Sequence, residues 1–391
     1  MKVLICGGGI AGLTLAWCLE RQGHHPVVVE RAPHFRDEGY MIDFFGSGHD
    51  AGERLGLLPE LERIHYPIAH LTFVDERGRE RISLPYPVLR RRIFEGRHFN
   101  FMRGELARVL HARIEGRVEL RFHTTVEAFE QHGARVRVRL SDGAEDDFDL
   151  LVGADGVHSQ VRRLAFGPEE RFARFIGCYT ASFILDGPPD GLRDREAFTT
   201  LTVPNRQVAV YPIRGGRLAT FFIHRAEHPV EDFSRESALR ELRTVYRGMD
   251  WLVPELLERC EQASGFYFDT VTQIDMPHWS TGRVVLLGDA CQCVSLLAGQ
   301  GASMAVAGAY LLAEELGMAG SDVPAALARY EQRLKPAIEH KQAAGRRIAG
   351  WFVPESRLRL ALRDLGLRMS LWPVASSVFR RRMAAESIFR H

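Results

Sequence analysis

The sequence predicts an α/β fold: a parallel sheet with helices, an interleaved antiparallel sheet, and a helical C-terminal segment. Three observations carry this. A buried strand, a glycine-rich turn and a helix follow one another at the start of the chain. Consecutive β segments run from about Phe175 to Arg225. After a last buried strand at Gly282 to Gly288 the remainder is mostly helical.

Lys2-Val3-Leu4-Ile5-Cys6 has the apolar run of a buried parallel strand, and Ala11 to Gln22 reads as a helix with Leu13, Ala16 and Leu19 on its apolar side. Between them lies Gly7-Gly8-Gly9-Ile10-Ala11-Gly12. Gly7 permits the bend, Gly9 lets backbone approach a pyrophosphate, and Gly12 lets the helix pack closely on the strand, with phosphates at the helix N-terminus. Pro26-Val27-Val28-Val29 is the next strand and ends at Glu30, near the usual spacing for an acid that binds an adenosine ribose. A lone GxGxxG could be a structural turn. Strand, glycines, helix, strand and acid in order point instead to a dinucleotide. Arg31 suits a 2′-phosphate, a cover for the adenine ring, or plain solvation, and the adenine contact is favoured.

Asp37 to Gly46 reads as a glycine-punctuated loop or short strand, followed by a helix around Asp50 to Leu58. Thr72-Phe73-Val74 and Arg81 to Leu84 flank a polar turn and form a hairpin. Arg90-Arg91-Arg92 reads as a solvated loop run, with contact to a cofactor phosphate as the alternative. A helix opens near Arg103. In Arg135 to Leu140, period two puts Val136, Val138 and Leu140 on one face and the arginines on a solvated one. Asp149 to Gly156 returns to a buried strand. Cys178 to Leu185, Phe198 to Val203, Gln207 to Tyr211 and Arg217 to His224 form the antiparallel sheet, with turns at Asn205-Arg206 and Gly215-Gly216. On it, Tyr211 with Ala209, and Thr220 with Phe222, are candidate walls of a substrate pocket, with ordinary sheet packing as the commoner reading of each; Arg214 reads as a turn residue.

A second signature, Gly288-Asp289 leading into Gly299-Gln300-Gly301, completes a two-ended holder for one extended dinucleotide. Asp289 alone could be a helix cap. The net charge of +1 gives no support for a nucleic-acid partner, and 46% hydrophobic residues can build a sizeable core. The six cysteines lack disulfide or zinc spacing, and Cys291-x-Cys293 reads as packing near a cofactor, so no metal is expected. No signal segment or membrane-spanning run is evident, which predicts a cytoplasmic enzyme.

Together, GxGxxG with Glu30, Arg103 before a helix, Asp155-Gly156 within LLVGADGVHSQVR, and GDACQCVSLLAGQG resemble the group A FAD-dependent aromatic hydroxylases over roughly residues 1 to 315. GYMIDFFGSGHDAGERLGLLP is further similar to the tetracycline-inactivating monooxygenases and related polyketide hydroxylases. The resemblance implies a GR2-type Rossmann-like FAD domain at 1–70, 98–170 and 270–330, a substrate sheet at 71–97 and 171–269, and C-terminal helices at 331–391. It implies that Gly7, Gly9, Gly12, Glu30, Arg31, Arg103, Asp155, Asp289, Gly299, Gly301 and Ala302 hold FAD. NADPH or NADH would reduce the flavin, and O2 would add at C4a to give the hydroperoxide that transfers oxygen to an aromatic or polyketide substrate.

No side chain is then catalytic. The backbone of Leu297, Ala298 and Gly299 would stabilise the reduced ring. A monomer is favoured. Gln292, Cys293, Leu296 and Ser303 depart from the family's usual His, Pro, Pro and Asn, near the expected reactive edge of the flavin. This keeps open a reductase without oxygen insertion, or a flavin-loaded binder. In the tail, Leu358, Leu362, Leu365, Met369 and Trp372 repeat at helical spacing and Arg380-Arg381-Arg382 follows; a basic amphipathic helix can bind a membrane surface, and the reading favoured is a helix packed across the two domains and bordering substrate entry.

Overall fold

A computed structural model describes residues 1–35, 39–230, 232–320, 322–369 and 387–389. The chain opens with β1 (Lys2–Cys6), α1 (Ile10–Arg21) and β2 (His25–Val29), the strand, helix and strand that the glycine turn joins. A short strand β3 (Met41–Phe45) leads to α2 (Ser47–Leu55) and α3 (Leu58–Ile64), so the expected single helix is two. Gly56, at φ +74°, ends the first of them. The hairpin β4 (His70–Val74) and β5 (Glu80–Pro85) is followed by α4 (Tyr86–Phe94), β6 (His98–Met102) and α5 (Arg103–Ile114). Arg90, Arg91 and Arg92 thus lie on a helix, not a loop, and Arg90 bonds the His65 ring at 2.9 Å. Pro87 in its first turn suits helix initiation, a signal overlooked in the sequence.

After β7 (Glu119–Arg121), the strands β8 (Val126–His132), β9 (Arg135–Leu140) and β10 (Glu145–Phe148) form an antiparallel flap. On β9 Val136, Val138 and Leu140 are buried while the arginines are exposed, as the alternation requires. β11 (Leu150–Gly153) and α6 (Gln160–Phe166) follow, then β12 (Ala173–Leu185), β13 (Ala197–Val203), β14 (Arg206–Ile213) and β15 (Arg217–Arg225). The turn between β13 and β14 sets Asn205 at φ +67°, a conformation Asn tolerates. Next come α7 (Arg235–Val245), α8 (Val253–Arg259), β16 (Ser264–Ile274), β17 (Ser280–Thr281) and β18 (Val284–Leu286). The chain ends in α9 (Asp289–Gln292), α10 (Gly301–Met318), α11 (Val323–Phe352) and α12 (Arg357–Met369).

Two large sheets result. One has the order β17-β18-β11-β1-β2-β7, parallel except at β17. The other has the order β16-β12-β15-β14-β13-β4-β5, antiparallel except between β13 and β4. β3 and β6 form a ribbon between them. One face of the antiparallel sheet joins the core of the parallel sheet and α10 through Ala209, Tyr211, Ala219, Phe221 and Ile223. The other packs Val208, Val210, Phe222 and Leu218 on Leu242, Tyr246 and Leu256 of α7, its end and α8.

This sorting corrects a sequence expectation. Tyr211 pairs with Ala219, and Val210 with Thr220, so Thr220 and Phe222 project from the sheet face opposite Tyr211. A one-residue difference in strand phase moves a side chain to the other face. Thr220 is fully buried, with its hydroxyl donating to Phe183 O at 3.1 Å, and Phe222 meets Tyr246 edge-on at 5.0 Å. Phe221 is the residue on the interdomain face. Phe222→Ala should therefore lower stability by about 3–5 kcal/mol in denaturant titration.

β16 escaped the sequence reading, although Phe266, Tyr267, Phe268 and Val271 give it strand composition. It pairs along β12 and forms that edge of the sheet. The tail also differs from expectation. On α12, Leu358, Leu362, Leu365 and Met369 are exposed, while Leu360, Arg363 and Asp364 are buried. Arg363 bonds Asp364 at 3.0 Å and Thr202 at 3.1 Å, and Arg81 reaches Asp364 at 2.7 Å. A satisfied ion-pair network, not an apolar stripe, seats this helix on β5 and β13. Trp372 and Arg380–Arg382 lie outside the described residues.

Candidate functional site

The glycine turn is forced by space. Gly7 has φ +116°, and a methyl there would lie 2.3 Å from Ala154 O on β11's end. A methyl on Gly12 would lie 2.0 Å from Gly7 O, so α1 can approach the strand only as glycine. Gly9 is the residue before the first turn of α1, and a methyl on it would meet only Arg103 Nη2, at 3.9 Å. A guanidinium therefore faces the N-terminus of α1, where backbone N–H groups and the helix dipole already favour an anion.

Glu30 follows β2, with Oε2 accepting from Gly8 N and Oε1 from Ala32 N, both at 2.8 Å. Arg31 beside it is exposed. Asp155 sits behind the glycine turn: Ser159 Oγ donates to it at 2.5 Å and Val161 N at 3.1 Å. Burial pushes its carboxyl up, and the Ser159 bond pulls it down. In this structure Asp155 anchors the start of α6 and the wall under Gly7.

At the other end, Asp289 opens α9 and remains accessible although the protein surrounds it. Burial raises its carboxyl and the nearby Arg103 lowers it. Asp289 Oδ1 is 4.0 Å from the methyl position of Gly301, the first residue of α10. Leu297 and Ala298 lie in a single 3-10 turn, Gly299 is left-handed at φ +63°, and Ala302 is half-buried on α10. Asp43 on β3 faces this turn, its Oδ2 3.6 Å from the Gly299 methyl position. Its Oδ1 accepts from His98 Nε2 at 2.9 Å and Asn100 Nδ2 at 2.7 Å. The sequence reading missed Asp43, because the β3–β6 pairing that assembles this network joins residues 55 and 57 positions apart.

Across from these groups, Tyr40 approaches Tyr267 at 5.5 Å and Phe221 at 6.2 Å, and Phe221 approaches Phe352 of α11 at 6.5 Å. Tyr211 is on the expected face, but its hydroxyl accepts from Met41 N at 2.9 Å and its ring stacks on Phe198. It joins the sheet to β3. Arg214 is more than a turn residue: it donates to the carbonyls of Arg63, Ile64 and His65 at the end of α3 and pairs with Glu105 at 2.8 Å. His158 bridges Glu169 at 2.9 Å and Asp269 of β16 at 3.7 Å; these bonds raise it to about 10 and tie the loop after β11 to the sheet.

The departures in the second signature divide by bonding. Cys293 donates to Thr272 O at 3.2 Å, and Ser303 Oγ accepts from Phe45 N at 3.1 Å. Gln292 is buried against Gly308 of α10, with neither amide atom bonded among the described residues. Gln292→Leu should therefore raise stability by about 1–3 kcal/mol of relieved desolvation, seen as a higher melting temperature, with flavin content unchanged. All six cysteines are buried and free.

The FAD binding domain family matches residues 53–343, and an NAD(P)-binding Rossmann-like domain matches residues 5–52. The chain belongs to the FAD-binding domain family. A flavin-dependent monooxygenase of Legionella longbeachae is 30% identical, over 88% of each chain. An uncharacterised protein of Mycobacterium tuberculosis is 34% identical, over 87% of this chain and 91% of its own. Among solved structures, the tetracycline destructase Tet(55) superposes with a TM-score of 0.84 at 27% identity, covering 100% of this chain and 98% of its own. This flavoprotein monooxygenase, of group A, binds FAD and has the mixed α/β architecture of its relatives. Among the described residues no helix is long and apolar enough to cross a membrane.

Proposed function

We propose that this monooxygenase hydroxylates a planar phenolic or enolic small molecule of aromatic or polyketide type, tetracyclines being the leading candidates, with NAD(P)H and O2. The observation that carries the substrate class is the cluster of aromatic rings formed by Tyr40, Tyr267, Phe221 and Phe352. Stacking aromatic walls favour a flat ring system over a compact aliphatic one. The likeness to tetracycline destructases supports it. The free, buried cysteines suit a reducing compartment, and the reading places the enzyme in the cytoplasm.

The cradle fits FAD. Gly7, Gly9 and Gly12 bring the N-terminus of α1 to the pyrophosphate and Arg103 closes on it from the opposite side; Asp155 supports the turn from beneath. Glu30, which accepts from Gly8 N, would exchange that bond for ribose hydroxyls, and Arg31 would cover the adenine. Asp289 would accept from the ribityl chain. The backbone of Leu297, Ala298, Gly299, Gly301 and Ala302 would present amide dipoles to the ring. Bound FAD supplies electron transfer and oxygen activation. The protein's part is to orient the substrate and keep water from the ring, which the apolar face of β14 and β15 serves.

The test is NAD(P)H oxidation and O2 uptake by the FAD-loaded enzyme against phenols, anthracyclines and tetracyclines, with product masses recorded. Substrate-stimulated uptake with a mass gain of one oxygen atom is expected. NAD(P)H oxidation without oxygen insertion across the panel would replace this reading with a reductase.

A further inference from the structure

Behind the Gly299 turn lies a buried lysine that the cofactor cradle does not use. Lys341, on α11, is 3% exposed, and its Nζ donates to Gln300 Oε1 at 2.5 Å. Gln300, itself buried, sits between left-handed Gly299 and the first residue of α10. The neighbours of Lys341 hold the same loop. Gln342 Nε2 donates to Cys293 O at 3.0 Å and to Ile274 O at 2.8 Å. Gln273 donates to Val294 O at 3.1 Å and to Gln342 O at 2.9 Å, and Arg346 donates to Gln273 Oε1 at 2.7 Å. Gln342 of α11 and Gln273 of β16 therefore fix the loop's start at residues 293–294 through neutral amides, with Arg346 bracing Gln273. α11 reaches the loop's end through an amine.

The difference in chemistry is informative. Gln342 shows that amide bonds suffice to hold the loop's start. A lysine buried this deeply loses hydration, and its ammonium form is tolerable only where dipoles or an anion offset that loss. The Gln300 carbonyl is one such dipole. Flavin reduction places a negative charge on the ring, on the side where the Gly299 turn is expected to face it. We propose that Lys341 is a positioning residue for the redox step: acting through Gln300, it sets a positive charge behind the loop and stabilises the reduced, anionic ring over the oxidised one. This rests on the FAD reading of the site.

The experiment is the two-electron midpoint potential of the FAD-loaded full-length protein and of K341Q and K341R, measured with reference dyes and without substrate. K341Q should bind reduced FAD about tenfold less favourably relative to oxidised FAD, a fall of about 30 mV in potential, while K341R should stay near the parent value. An unchanged potential in K341Q, or an equal fall in both variants, would overturn the proposal and leave Lys341 a prop for Gln300. If K341Q folds but cannot retain FAD while K341R can, the charge requirement stands; loss of FAD from both variants overturns it. Failure of the parent protein to bind FAD would instead sink the reading of the site itself.

Discussion

Alanine at Gly7 is expected to abolish FAD retention and to destabilise the fold by about 3 kcal/mol or more. Two independent costs meet at this position. The backbone is at φ +116°, outside what a residue with a Cβ adopts readily, and the added methyl would stand 2.3 Å from Ala154 O, a backbone atom that no rotamer change can move. Relief requires β1 and β11 to separate or the turn to refold, and either displaces the N-terminus of α1. Gly23→Asn is the matched control: its φ is +76° and nothing lies within 4 Å of the added carbon. It should melt near the parent temperature and keep its flavin. Thermal melts and the flavin-to-protein absorbance ratio of the two variants check the contrast; a flavin-replete Gly7→Ala would refute it.

Arg103→Ala should weaken FAD binding about 100-fold, about 3 kcal/mol, with little change in the stability of the flavin-free protein. The guanidinium stands opposite Gly9 and close enough to Asp289 to lower its carboxyl. Its loss would remove the charge expected to face the pyrophosphate and the nearby cation that lowers the Asp289 carboxyl. Arg103→Lys should recover part of the affinity, since a point charge persists without the planar fork. Fluorescence titration of apoprotein with FAD measures both.

The cradle was legible because its requirements are local. Gly7, Gly9 and Gly12 answer to space within a few residues, Glu30 to the length of one helix and strand, and Arg103 and Asp289 to the motifs that carry them. The pocket wall was less so. Whether Phe221 or Phe222 faces the flavin side depends on strand phase, which is set by pairing β15 with β14 and by the arrival of α7 and α8 on the far side. The hydrophobic run Phe221-Phe222-Ile223 carries no alternation to decide it. In α12 the leucine spacing was real, yet the buried side is taken by Arg363 and Asp364, whose partners on β5, β13 and β14 are far away in sequence.

The strand order of the parallel sheet has a consequence for biosynthesis. β1 is flanked by β2 and β11, and β11 in turn by β18, whose residues end at position 286. On the ribosome, at about 5–20 residues per second, β1 and β2 emerge as a pair long before β11 and β18, and Asp289, the Gly299 turn and Lys341 come later still. The nucleotide half of the cradle is thus translated first and the flavin half last. A nascent or prematurely terminated chain presents unpaired strand edges but cannot close on FAD. Flavin capture consequently requires a chain translated at least through the start of α10.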